Sequence, residues 1–202
     1  MEETIIANKF EQWVKGLDET QARISIFKHI RDIPYAIVPK LRDYKTGPSG
    51  MLELNKGSCQ PKHFLLAMLF EKLNIPVKYV TYPFKWSEQP LKYTDELKKI
   101  VKHLPCTYHL ASKAYIENKW VLADATYDLV LKGEGFPVTD DWDGVGNTKN
   151  AVLPITEIIH NNLEERVNYV SAENAKRSQA EEMLYSDFVI TLNLWIENIR
   201  NR

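Results

Sequence analysis

Cys59 stands in the stretch NKGSCQPKH (Asn55 to His63), where a polar loop gives way to an apolar run. A thiol here could be a nucleophile, a metal ligand or a small buried side chain. If the apolar run is a helix, Cys59 sits at its N-terminus, where unpaired backbone N–H groups and the helix dipole favour an anion. A thiolate is such an anion, and a lowered thiol pKa raises its population at neutral pH. The same N–H groups could hold the oxyanion of a tetrahedral intermediate, and Gly57 and Ser58 leave room for a carbonyl to approach. A nucleophilic cysteine needs a base, and the base needs an orienting group. His109 begins one β-rich stretch and Asp124 lies near the end of the next, on either side of a tight turn expected at Asn118 and Lys119. Hairpin pairing then brings the two within cross-strand reach. An aspartate so placed accepts the imidazole N–H, fixes its tautomer and stabilises its charged form. Taken singly, each residue has a plain structural role: a buried thiol, a strand histidine, a strand-end aspartate. Their joint placement is what points to catalysis.

Around this set, Asn55 and Gln60 are candidates for a side-chain oxyanion donor, and His63 is a candidate second donor lining the thiolate pocket. Trp86 and Trp142 are candidates to flank a substrate groove, since loops bordering a rigid core carry specificity. A metal site is the rival use of the same residues. Cys59 with His63 and Cys106 with His109 offer spacings that suit a tetrahedral zinc. That reading leaves Asp124 unexplained, and Pro105 beside a strand start is an awkward knuckle. Asp140, Asp141 and Asp143 surround a turn, but the spacing is not an EF-hand and lacks its later glutamate, so a solvated loop is expected. Cys106 reads as a small buried residue. His29, His103 and His160 have no partner by spacing and read as surface.

The elements that must position these residues follow from periodicity. Ile6, Phe10, Trp13 and Leu17 recur at helical intervals, as do Ile24, Phe27 and Ile30 after an N-cap at Asp18 or Thr20, and Pro34 ends that second helix. Pro39 to Ser58 reads as loop, with KTGPSG its clearest break. Leu65, Leu66, Leu69, Phe70 and Leu73 form a broad stripe on a buried helix, with Pro61 in its first turn and Pro76 closing it. VKYVTYPF reads as a strand, SEQPLKYTDELKKIVKHLP as a charged insertion with a short helix, and TYHLASKAYIE with KWVLADATYD as an antiparallel hairpin. The tail from Ser171 to Arg202 is helical, with Leu184, Phe188, Leu192 and Trp195 in register. Helices, then a buried helix, then strands, then a helix predict one α+β domain with an antiparallel sheet packed on the Cys59 helix.

A chain of 202 residues suffices for one sizeable core or two small ones. A formal net charge of -1 predicts no strong pull toward nucleic acid or an anionic membrane. The short basic run Lys98 to His103 reads as a solvated helix face. No basic start with an apolar stretch marks a secretory signal, and no window is long and apolar enough to span a bilayer. Two cysteines make a disulfide scaffold unexpected and point to a reducing, cytoplasmic setting.

GSC before an apolar helix, a histidine at a strand start, and W-x-x-x-D-A-T (Trp120 to Thr126) resemble the transglutaminase-like cysteine-enzyme core. RDIPY (Arg31 to Tyr35) is similar to the family's helix-then-IPY element, and LNIPVKYV (Leu73 to Val80) to its LGIPARYV strand start. HLASKAYIENKWVLADAT (His109 to Thr126) is similar to its H…V-Y…W…D-x-T pattern, with Ala114 before Tyr115. The resemblance covers about residues 22–130 of a single domain spanning 1–202, with a helical C-terminal extension over about 156–202. It implies Cys59 as nucleophile, His109 as base and acid, and Asp124 as orienter. Asn74 replaces the usual glycine, and Leu110 and Ala111 follow the histidine where the family commonly has an aromatic residue. The expected activity is acyl transfer on a peptide or small amide through a thioester, by hydrolysis or by transfer to an amine, with no metal or cofactor. An arylamine-acetyltransferase-like enzyme and a non-catalytic binding module on the same fold are the other readings.

Overall fold

The computed structural model describes residues 2–202. Two helices, α1 (Glu2–Val14) and α2 (Glu19–Asp32), open the chain. Asp18 caps α2 reciprocally: its carboxylate accepts the Gln21 N–H at 2.8 Å while the Gln21 side chain accepts the Asp18 N–H. Ile33 is extended ahead of Pro34, as a residue before proline must be, and the helix stops there.

The segment expected as loop contains a further helix, α3 (Gly47–Leu54). The GPSG text looked like a break, yet Pro48 falls in the first turn, where a missing N–H does no harm. Gly47 is required because a Cβ there would lie 2.3 Å from the Leu41 carbonyl oxygen. Next, α4 (Cys59–Lys72) is buried on nearly every side, with Phe64, Leu65, Leu66, Ala67, Leu69 and Phe70 all closed to solvent. A helix apolar all round belongs inside.

The sheet is wholly antiparallel. β1 (Val77–Phe84) pairs with β2 (Thr107–Ile116) and with β4 (Ile158–His160), and β2 pairs with β3 (Lys119–Ala123), giving the order β3-β2-β1-β4. The architecture is therefore α+β. The hairpin turn lies at Glu117 and Asn118, both with positive φ, one residue before the position expected from sequence. Two central residues of that hand match the twist of the strands. The shift moves each cross-strand partner by two positions, and the last pair before β3 ends is Ser112 facing Ala123.

The tail is not one helical extension. It contains β4, then α6 (Leu163–Asn174) and α7 (Gln179–Arg200), separated by a turn. Asn162 and Ser178 cap the two helices and set the breaks. His160, expected at the surface, is buried on β4 with Nε2 3.0 Å from Thr81 Oγ1. Alternation along β3 divides the core: Leu122 joins a cluster with α7 and α5 (Asp95–Val101), while Val121 and Ala123 join one with α1, α2 and α4. Among the described residues no helix is long and apolar enough to cross a membrane.

Lys62 of α4 is fully buried, and its Nζ donates to the Arg31 carbonyl at 2.9 Å and the Thr126 carbonyl at 2.8 Å. It ties the end of α2 to the segment after β3. Burial pushes its pKa down to about 7, against the opposing pull of Asp128 and Asp32. The neutral amine still has N–H groups for both carbonyls. The folded value lies below the unfolded one of about 10.4, so the unfolded chain binds more protons between the two and stability from this group grows with pH. The stability advantage of wild type over Lys62→Met, read by urea unfolding, is expected to widen as pH rises from about 7. A difference that stays flat with pH would contradict it.

Candidate active site

The approach to Cys59 is fixed by main-chain pairing. The Gly57 N–H donates to the Pro34 carbonyl at 3.1 Å, and the Ala36 N–H donates to the Gly57 carbonyl at 3.2 Å, a parallel bridge across Tyr35. A Cβ at residue 57 would meet the Met51 side chain at 2.7 Å and Pro61 at 3.1 Å, so any larger residue must displace Met51. Ser58 is the extended N-cap of α4 and makes no side-chain cap bond. The N–H groups of Cys59 and Gln60 therefore have no partner within the helix. Cys59 is half-buried, at the edge of a cavity of about 270 Å³ that Gln60, Trp86 and His109 also line.

His109 faces Tyr82 across the β1–β2 ladder and stacks on its ring at 6.2 Å and 16°. Its Nε2 is 2.8 Å from Asp124 Oδ2, and the ring lines the same cavity as Cys59. With Nε2 engaged, Nδ1 is the nitrogen left for the sulfur. Asp124 is the first residue past β3, outside the ladder, where its N–H donates to Thr148 Oγ1 at 2.8 Å. It thus meets His109 from beyond the strand end rather than as its direct cross-strand partner. Its oxygens take five hydrogen bonds: His109 and the Ala151 N–H on Oδ2, and His63, the Thr126 N–H and the Thr126 hydroxyl on Oδ1.

His63 lies one helical turn beyond Cys59 on the same face of α4. Its Nε2 is 3.1 Å from Asp124 Oδ1 and its Nδ1 3.2 Å from Ser112 Oγ. Burial lowers its pKa more than Asp124 raises it, so it is neutral. Nε2–H then donates to the carboxylate and the Ser112 hydroxyl donates to Nδ1. His63 orients Asp124 from behind and does not reach the thiol pocket as a donor. This role was not read from the sequence, although the four-residue spacing from Cys59 was visible.

The charges divide consistently. Burial would raise the Asp124 carboxyl, but the His109 charge and the hydrogen bonds from both histidines hold it well below the usual carboxylate range. Burial would lower His109, but the charge and hydrogen bond of Asp124, with those of Cys59, raise it to about 10. Burial would raise the Cys59 thiol, but the hydrogen bond and charge of His109, helped by the Leu110 N–H and the more distant Arg166, bring it below its ordinary value. These shifts all run in the direction of an anionic sulfur beside a charged imidazole backed by a carboxylate.

Other expectations are corrected. Asn55 is exposed at the C-terminus of α3 in a left-handed conformation, φ 47°, and faces a separate groove beside Trp13 and Lys28. It ends a helix, as asparagine does there, and is not a donor to the Cys59 cavity. Trp142 is buried against Phe27 and Phe70 at 5.1 and 6.2 Å and does not line the cavity either. Trp86 and Gln60 do line it, and the Trp86 indole Nε1 is buried there without a hydrogen-bond partner among the described residues. Cys59, His63, Cys106 and His109 do not converge. Among the described residues the one cluster of potential metal ligands is His63, His109 and Asp124, already joined by hydrogen bonds. The acidic loop forms no cage among the described residues: Asp140 pairs with Lys132, Asp141 with Lys28, and Asp143 accepts the Val145 and Gly146 N–H groups.

No family model matches the chain, and no curated protein matches it in sequence. Among solved structures it is similar to a provisionally assigned cysteine protease from Cytophaga hutchinsonii, at 19% identity over 80% of this chain with a TM-score of 0.43. The chain spans 47% of the length of that protein.

Proposed function

We propose that this chain is a Cys–His–Asp acyl-transfer enzyme with the transglutaminase-like placement of catalytic helix and strands, acting on a peptide or small amide. The observation that carries the reading is the His109 imidazole, bonded through Nε2 to Asp124 and lining one cavity with Cys59. The Cys59 thiolate adds to the amide carbonyl carbon, and the carbonyl electron pair moves to oxygen, where the Cys59 and Gln60 N–H groups receive it. His109 gives its Nδ1 proton to the departing nitrogen as the C–N bond breaks, leaving a thioester on Cys59 and a neutral imidazole. Water or an amine then adds to the thioester and passes its proton to Nδ1. Collapse expels the thiolate and restores the ion pair.

The test is direct trapping of the thioester. Protein mixed with glutaminyl and other peptide amides, with and without hydroxylamine, is followed by intact mass. The expected result is an acyl adduct on Cys59 that hydroxylamine discharges as the hydroxamate. No adduct at Cys59 across a broad set of amide donors would count against the reading.

A further inference from the structure

One face of α6 closes the cavity over Cys59, through Arg166, Val167, Val170, Ser171 and Asn174. Arg166 is 1% exposed, yet its Nε and Nη2 have no hydrogen-bond partner among the described residues. A buried guanidinium left unpaired is costly. These two nitrogens form one edge of the guanidinium plane, the fork that grips both oxygens of a carboxylate. Among the described residues no aspartate or glutamate lines the cavity, so none of its walls can fill the fork. The Cys59 thiolate is the negative charge that acts on Arg166, but His109 already engages that sulfur. Two turns further along α6, Asn174 Oδ1 is also buried without a donor among the described residues, an acceptor suited to an N–H of the same ligand. Arg42 stands on the wall of the cavity and adds positive potential.

We propose that Arg166 anchors a carboxylate of the acyl donor, so that the substrates are amides carrying a carboxylate close to the scissile carbonyl, such as peptides with an acidic or C-terminal residue there. This rests on the acyl-transfer reading and names its substrate class. Cys59 and Arg166 share one cavity, so a ligand held by the fork lies beside the nucleophile. A merely thiolate-stabilising role for Arg166 is separable. It would change the reaction of Cys59 with all electrophiles alike, whereas an anchor favours anionic ones.

The test uses iodoacetate and iodoacetamide, which alkylate the same thiolate and differ in a carboxylate. The rate ratio of iodoacetate to iodoacetamide at Cys59 is expected to fall about tenfold or more in Arg166→Gln, the worth of a charge-assisted hydrogen bond. An unchanged ratio in a folded Arg166→Gln overturns the proposal. Arg166→Lys, which keeps the charge and loses the fork, is expected to recover only part of the ratio, and full recovery overturns the bidentate anchor. If Arg166→Gln does not fold, wild type decides. Succinate is expected to slow iodoacetamide alkylation of Cys59 saturably while succinamide does not, and equal protection by both, or by neither, overturns the anchor. Failure of the acyl-transfer reading would look different: Cys59 would resist iodoacetamide itself at neutral pH.

Discussion

Asp124→Asn is expected to lower turnover of an amide donor about ten-thousand-fold, the scale seen when a triad carboxylate is replaced by its amide. The hydrogen-bond inventory gives the reason. Every group around the Asp124 oxygens is a donor, and two are main-chain N–H groups that cannot reverse, Ala151 on Oδ2 and Thr126 on Oδ1. An asparagine must point its NH2 at one of them. If the amide NH2 takes the Oδ2 place, it also faces His109 Nε2, which must then become an acceptor. The ring proton moves to Nδ1, the charged form loses its partner, and the thiolate pair no longer forms. If it takes the Oδ1 place, it faces His63 and Thr126 instead, and the carboxylate charge that raises His109 is still lost. Steady-state kinetics should report the loss in kcat, with a drop in His109 pKa by NMR. A variant that folds and keeps more than about one tenth of wild-type kcat would contradict the assignment, since triad residues act as one unit.

His109→Ala is expected to be at least as damaging, again about ten-thousand-fold or more in kcat. In the proposed mechanism the ring both generates the thiolate and protonates the leaving nitrogen, and His63 is not placed to take over. His63 is turned to Ser112 and Asp124, is held neutral by burial, and lies behind the carboxylate rather than beside the sulfur. The wild-type pH profile of kcat/KM should have a wide plateau. It begins at the lowered Cys59 value and ends near 10, where the imidazolium loses its proton. An alkaline limb near the ordinary histidine value, about 6.5, would mean that Asp124 does not hold the charge.

The parts of this site that could be read from sequence were those set by local rules. An apolar stripe after GSC put Cys59 at a helix start, and β-rich text on both sides of a tight turn put His109 and Asp124 on one hairpin. The turn itself was misplaced by one residue because Glu117, not an obvious turn former, takes a positive φ beside Asn118. The consequence was small, since the shift moved partners by two positions and Asp124 reaches His109 from past the strand end. Helix α3 was hidden by its own GPSG start, which carries the same letters as a loop. Arg166 was invisible for a different reason. An arginine on an amphipathic helix normally faces water, and only the docking of α6 against the sheet buries it. Asn55 and Trp142 erred in the same way: nearness along the chain, or an aromatic in a loop, says nothing about which cavity a side chain enters. Lys62, beside an apolar run, finds its two carbonyls on segments distant in sequence.

The thiolate–imidazolium pair is the premise on which the proposed activity and its substrate class both depend. The pH dependence of Cys59 alkylation by iodoacetamide, in wild type and in His109→Ala, tests it most directly. Wild type should react with an apparent pKa well below the ordinary thiol value of about 8.5, and His109→Ala should return to that value or above it. Identical profiles with an ordinary midpoint in both proteins would contradict the pair and remove the basis for catalysis by this site.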